Sequence, residues 1–118
     1  VPSALAQIKG GTVRGLAVTS AARVRSLPDV PTVAEAGYKD FDANTWYGLV
    51  APARTPTNVI ARINAEVNKI LTIPDVREKF AAEGGGPVGG SPQEFAALIE
   101  RDYAKWRKVV KDSGAKVD

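Results

Sequence analysis

Hydrophobic residues recur at helical spacing in the second half of the chain. Over Pro56–Leu71, apolar side chains return every three or four positions, with Thr55 as a candidate N-cap and proline in the first turn. A shorter helical segment opens at Pro74. The sequence SPQE, starting at Ser91, has the spacing of a capping box, and an apolar stripe continues from it to Gly114. The pattern predicts three C-terminal helices.

The first half carries shorter and more continuous apolar segments. Val13–Ser20 (VRGLAVTS) is apolar at its centre and predicts a strand buried on both faces. Ser3–Lys9 has the pattern of a helix end, which Gly10 would close in the left-handed conformation. Trp46–Ala51 (WYGLVA) predicts a second strand. Strands alternating with helices indicate an α/β fold, although two strands are too few for a sheet covered on both faces.

A proline-rich stretch separates these two predicted strands. Pro28 and Pro31 fix the backbone ahead of the sequence TVAEAG, in which Thr32 and Glu35 have capping-box spacing and Gly37 ends the turn. Proline at such positions steers the chain, so the stretch is predicted to be a stiff connector.

Composition narrows the chemistry open to this chain. Its 118 residues suffice for one domain with a hydrophobic core, and the absence of methionine predicts a processed chain or part of a longer one. Because it has no cysteine and no histidine, disulfides, thiol nucleophiles, soft-metal sites and the usual proton shuttle are excluded. No apolar run approaches the roughly 18 residues of a membrane span. We predict a binding protein without cofactor or metal rather than an enzyme.

Two motifs admit a functional and a structural interpretation. The glycine-rich sequence GGGPVGGSP, residues 84–92, could present backbone N–H groups to an anion, but it lacks the Gly-Lys-Ser/Thr ending of a phosphate loop. A loop around one short strand at residues 87–88 is favoured.

The last helix carries five basic residues, which could bind nucleic acid or an anionic membrane: Arg101, Lys105, Arg107, Lys108 and Lys111. Since acidic residues interrupt them and the net charge is only +3, a solvated face is favoured and no nucleic acid is predicted.

Hydroxyl and aromatic side chains stand at the ends of both predicted strands. Thr19 and Ser20 end the first strand, and Thr45 and Trp46 begin the second. In open α/β sheets, ligands bind beyond the carboxyl ends of strands, where hydroxyls and free amides can hold a carboxylate. The alternative is that the hydroxyls cap turns and that Trp46 packs in the core. These four residues are the candidate ligand-binding site.

The sequence resembles the periplasmic solute receptors of tripartite tricarboxylate transporters, the Bug or TctC-like family. The resemblance runs from Val1 to Asp118, and its most specific part is LPDVPTVAEAG followed by WYGLVAPARTP. Further matching phrases are NAEVNKIL, PDVREKFAAEGG and PVGGSPQEFAALIERDYAKWRKVVKDSGAKVD.

The resemblance implies a partial periplasmic-binding-protein-like α/β fold with incomplete lobes. Residues 1–41 would be the remnant of one lobe, residues 42–50 the crossover, and residues 51–118 the helical part of the other lobe. It also implies a periplasmic location, a small organic acid as ligand and the permease subunits of the transporter as partners. An alternative, drawn from the missing strands, is an assembly module that forms a homo-oligomer through exposed edges and has no ligand of its own.

Overall fold

The structure, a computed structural model, describes residues 4–116 and contains four helices in that range. They are α1 (Leu5–Lys9), α2 (Thr57–Ile70), α3 (Pro74–Ala82) and α4 (Pro92–Ser113). Within the described residues, β pairing is limited to one isolated parallel bridge between Val18 and Thr32. No helix in this range is long and apolar enough to cross a membrane.

Helix α4 begins and ends where its sequence predicts. The Ser91 hydroxyl accepts the Glu94 backbone N–H (3.2 Å), and the Glu94 carboxylate accepts the Ser91 backbone N–H (2.7 Å), which is the predicted capping box. Hydrogen bonds from the backbone and the hydroxyl of Ser91 lower the pKa of Glu94. Gly114 ends the helix in the left-handed conformation, with φ 66°.

The ends of α1 and α2 differ in detail from the prediction. Thr55 does not cap α2, because the N-cap position is Pro56, which has no side-chain cap. Gly10 follows α1 but keeps a right-handed conformation, with φ −77°. The left-handed residue is Gly11, with φ 73°. Gly10 N–H still closes the helix by bonding to the Ala6 carbonyl (2.8 Å).

Both strand predictions are wrong for the chain as the structure describes it. In the segment Val13–Ser20, only Val18 forms a β-bridge, and Leu16 is 75% exposed. Residues 41–52, called the extended segment below, contain no helix, turn or β-bridge, and their backbone groups from residue 44 to residue 51 take part in no backbone hydrogen bond within the described range. A strand is stable only beside a partner strand, and this part of the chain supplies none.

The small hydrophobic core lies entirely in the first 32 residues. Leu5, Val18, Leu27 and Val30 are buried together, and Ile8 and Val24 pack against them. The core joins α1 to the proline-rich connector. It is too small to serve the three C-terminal helices, in which no residue is buried.

Reciprocal hydrogen bonds hold the proline-rich connector. The Thr32 hydroxyl accepts the Glu35 N–H (3.0 Å), and the Glu35 carboxylate accepts the Thr32 N–H (2.7 Å). Arg23 Nε donates to the same carboxylate (3.0 Å), and its guanidinium also donates to the Pro28 carbonyl (3.0 Å). The Thr32 backbone bond, followed by the Arg23 hydrogen bond, lowers the pKa of Glu35. Gly37 adopts φ 114°, so the predicted capping contacts and glycine end are confirmed, and the stiffness of the connector stays a prediction.

The C-terminal helices leave a large surface open to solvent. The accessible surface is 9830 Å², whereas a compact monomer of this mass exposes about 6,200 Å². The Cα radius of gyration is 17.2 Å, whereas a compact domain of this length has about 13.5 Å. An excess of this size agrees with three C-terminal helices that contain no buried residue.

Candidate functional site

The fold brings the two predicted site segments together. The Ala43 backbone N–H donates to the Thr19 carbonyl (2.8 Å), so the chain just before Thr45 and Trp46 runs beside Thr19 and Ser20. This bond joins segments 24 residues apart in the sequence without forming a sheet. One backbone hydrogen bond thus brings the segments of the four candidate residues together. The four side chains do not line a single cavity.

Thr19 and Ser20 lie on the side of the hydrophobic core. Thr19 is exposed and lines a partly open cavity of about 220 Å³ together with core residues such as Val18 and Val30. Ser20 is half-buried, and its hydroxyl donates to the Ala22 carbonyl (2.7 Å). The Ser20 proton is thus already used within a local turn, whereas the Thr19 hydroxyl makes no hydrogen bond to another described residue.

Thr45 and Trp46 line an open groove of about 800 Å³ against α4. The extended segment supplies one wall and the helix supplies the other. Aromatic and aliphatic side chains dominate the lining, with Asp102 and Arg107 as its charged groups. The lining residues from α4 are Ile99, Asp102, Tyr103, Trp106, Arg107 and Val110.

Two contacts fix Trp46 on α4. Its indole Nε1–H donates to Asp102 Oδ2 (2.6 Å). Its ring meets the ring of Phe95 edge to face, with centroids 5.3 Å apart and an interplanar angle of 88°. The Trp46 residue nevertheless remains 39% exposed. It is neither a core residue nor a free aromatic.

The extended segment runs antiparallel to α4. The ammonium group of Lys105 donates to the Asp42 carbonyl, and the Trp46 indole donates to Asp102. Gly48 lies at Phe95, where a side chain would overlap the aromatic ring. Sequence reasoning did not link these three α4 residues to the extended segment. The available signal was the seven-residue spacing of Phe95 and Asp102, which places both on one helix face.

The glycine-rich loop is occupied by contacts within the protein. Asn68 Oδ1 accepts the Gly90 N–H (2.8 Å), and the amide groups of Asn64 and Asn68 both donate to the Gly90 carbonyl (2.9 Å each). Because Glu94 takes the Ser91 N–H, amides that could bind an anion at the start of α4 already have acceptors. The favoured loop interpretation holds, but the predicted short strand at residues 87–88 is wrong, since Val88 is 96% exposed and unpaired among the described residues.

The basic residues of α4 do not act as one group. Lys105 binds the Asp42 carbonyl and lies over the Trp106 ring (5.3 Å to the centroid). Lys108 pairs with Asp112 one turn along the helix. Arg107 lines the groove beside Trp46. Among residues 4–116, no group of three or more acidic side chains is arranged to hold a metal ion.

Sequence comparison places the chain among bacterial receptors. The family profile described as tripartite tricarboxylate transporter family receptor matches residues 1–115. Protein BugT of Bordetella pertussis is 37% identical over 117 residues, which are 99% of this chain and 36% of that protein. A UPF0065 protein from the tcbD-tcbE intergenic region of Pseudomonas sp. strain P51 is 43% identical over 99 residues, covering 83% of this chain and 30% of that protein.

Three solved structures share this fold over part of their length. A protein described as a periplasmic transporter superposes with a TM-score of 0.86 at 35% identity, over 99% of this chain and 39% of its own. The structure of R. palustris Rpa4515 with adipate superposes with a TM-score of 0.83 at 35% identity, over 96% of this chain and 38% of its own. The periplasmic binding protein BugD superposes with a TM-score of 0.82 at 31% identity, over 96% of this chain and 38% of its own.

The chain spans between a third and two fifths of the length of BugT and of these three structures. It is thus a part of the periplasmic-binding-protein fold, with four helices and few paired strand residues in the described range. The predicted fold class, an α/β periplasmic-binding-protein-like fold with incomplete lobes, is confirmed.

Proposed function

We propose, from the premise that this chain belongs to the tripartite tricarboxylate transporter receptor family, that it is part of a periplasmic receptor for a small organic acid. The family match over residues 1–115 carries the proposal. The similarity to a structure that contains adipate, a dicarboxylate, favours a carboxylate ligand. The receptor binds and releases its ligand without covalent chemistry, and it delivers the ligand to the permease subunits of a transporter.

The candidate site supports carboxylate binding through hydroxyl donors and an aromatic wall. A carboxylate accepts hydrogen bonds, so it needs donors with a free proton. Thr19 meets this requirement within the described range, and Thr45 faces the groove beside the exposed part of Trp46. Ser20 contributes only when its hydroxyl turns away from the Ala22 carbonyl.

The division into lobes follows the distribution of contacts. The hydrophobic core lies within residues 5–30, and α2, α3 and α4 lie within residues 57–113. Residues 42–50 join these two regions as an extended segment, which suits a crossover between lobes. We assign residues 1–41 and 51–118 to different lobes that close over the ligand.

A thermal-shift experiment on the protein expressed from its complete coding region tests the proposed function. The screened compounds are adipate and other C4 to C6 dicarboxylates, aromatic acids and amino acids. A ligand that binds the native state raises the unfolding midpoint by mass action, by an amount equivalent to about 2.7 kcal/mol at one hundred times the Kd. The absence of a shift with every acid would overturn the proposal.

A second candidate function is the homo-oligomeric assembly module, which the uncovered surface favours. The excess over a compact monomer is roughly 3,600 Å², whereas each partner in an obligate dimer typically contributes about 1,000 to 2,500 Å². The excess is larger than one further copy would ordinarily cover, so the longer receptor is the better account. Light scattering discriminates, because the assembly module requires a stable oligomer of the 118-residue chain.

A further inference from the structure

Asp102 holds the indole of the proposed ligand wall from a helix 56 residues away in the sequence. The bond from Trp46 Nε1 to Asp102 Oδ2 is 2.6 Å long, and its acceptor is a carboxylate. A hydrogen bond to a charged acceptor is stronger and more directional than one between neutral groups. It fixes the rotation of the indole ring, which the edge contact with Phe95 alone leaves free to slide.

Two further contacts on the same helix set the backbone on either side of Trp46. Lys105, one turn beyond Asp102, binds the Asp42 carbonyl, and Phe95 closes against Gly48. The three contacts occur in antiparallel order along α4. The helix therefore determines both the path of the extended segment and the orientation of its aromatic side chain.

We infer that Asp102 is a positioning residue, which orients Trp46 for ligand binding by tying the crossover segment to α4. Its role in binding rests on the proposed function. Asp102 acts through Trp46, because a carboxylate beside a bound carboxylate would repel it. Preorganising a binding wall raises affinity by reducing the ordering that accompanies binding.

The test compares D102A, D102N and the control E100A in the protein expressed from its complete coding region. Asparagine keeps an acceptor oxygen for the indole, whereas alanine removes it. Glu100 lies two residues away on the same helix, is exposed, and makes no side-chain hydrogen bond within residues 4–116. The W46F variant identifies the indole N–H signal that belongs to Trp46.

Hydrogen exchange of the Trp46 indole, measured by NMR without ligand, reads the contact directly. We expect D102A to accelerate exchange about tenfold or more, the effect of one lost hydrogen bond to a charged group, whereas D102N, with a neutral acceptor, accelerates it less and E100A stays near the wild type. Equal exchange in D102A and the wild type would overturn the inference, and it does so whether or not the protein binds any acid.

Adipate affinity then tests the consequence for binding. We expect D102A to weaken it about tenfold, and D102N to restore most of the loss. If the indole is released but adipate affinity stays unchanged, Asp102 has only a structural role and the inference is wrong. If the wild type binds no acid in the screen, the proposed function fails instead, and indole exchange alone decides whether Asp102 orients Trp46.

Discussion

Gly48 lies against the ring of Phe95 so closely that a Cβ atom there would be 2.8 Å from Cε1 and from Cε2. The extended segment can approach α4 only because this position has no side chain. The contact joins residues 47 positions apart and fixes the segment just after Trp46.

We therefore expect G48A to lower the free energy of unfolding by about 1 to 3 kcal/mol, the usual effect of overpacking. Urea unfolding measures the loss. The matched control is G86A, because a Cβ atom at Gly86 meets nothing within 4 Å. Replacing the aromatic ring with a smaller side chain in the double variant G48A/F95L should recover part of the lost stability. Equal stability of G48A and G86A would contradict the close contact.

Helix α4 depends on its capping box, and this dependence changes with pH. S91A should cost about 1 kcal/mol at neutral pH, since it removes the acceptor for the Glu94 N–H. The folded-state pKa of Glu94 is lowered from its ordinary value of 4.5. The contribution of the Glu94 carboxylate to stability is therefore complete above pH 4.5 and is lost as the pH falls through the lower pKa of the folded state.

The acid limb of the stability profile checks this prediction. E94Q removes the titrating group but keeps an acceptor oxygen, so stability should fall less steeply below pH 4.5 than in the wild type. E100Q, on an exposed site of the same helix, is the control and should keep the wild-type slope. A steep limb unchanged in E94Q would show that Glu94 does not couple capping to pH.

The sequence predicted features that depend on neighbouring residues, and it failed where a feature depends on residues far apart in the chain. The bounds of α4 were predictable because Ser91, Glu94 and Gly114 act within one turn of the helix ends. The strand over Trp46–Ala51 was not, since a strand needs hydrogen-bond partners that the described residues do not supply. The Trp46–Asp102 bond was also beyond reach, because the spacing of Phe95 and Asp102 places both on one face of α4 but does not say which segment packs there.

Asn68 should hold the glycine-rich loop against α2. It accepts the Gly90 N–H and donates to the carbonyl groups of Gly90 and Asn64. We expect N68A to destabilise the protein by about 0.5 to 1.5 kcal/mol, because it removes the acceptor of the Gly90 N–H and the two bonds that the Asn68 amide donates. Amide exchange of Gly90 should accelerate in N68A.

The control for this prediction is N64A, which removes a single side-chain bond to the Gly90 carbonyl and should have the smaller effect. Inorganic phosphate should not shift the Gly90 amide signal in the wild type, since Asn68 already occupies that donor. A saturable shift with phosphate would revive the anion-loop interpretation.

Trp46 is the residue on which the proposed ligand site depends most. In the protein expressed from its complete coding region, W46A should weaken binding of the acid found in the thermal-shift screen about tenfold or more, because it removes the aromatic wall beside Thr45. The residue is 39% exposed in this chain, so the stability loss should be about 2 kcal/mol, below the 3 to 5 kcal/mol of a fully buried aromatic.

F80A is the matched control, since Phe80 lies on α3, does not line this groove and is 44% exposed. It should lower the unfolding midpoint by a similar amount and leave the affinity for that acid unchanged. W46F keeps the ring contact with Phe95 but loses the Asp102 bond, so its affinity should lie between those of the wild type and W46A. If W46A and F80A reduce stability equally and neither alters affinity, Trp46 only packs the segment onto α4, and the ligand site must be sought at Thr19, Ser20 and Thr45.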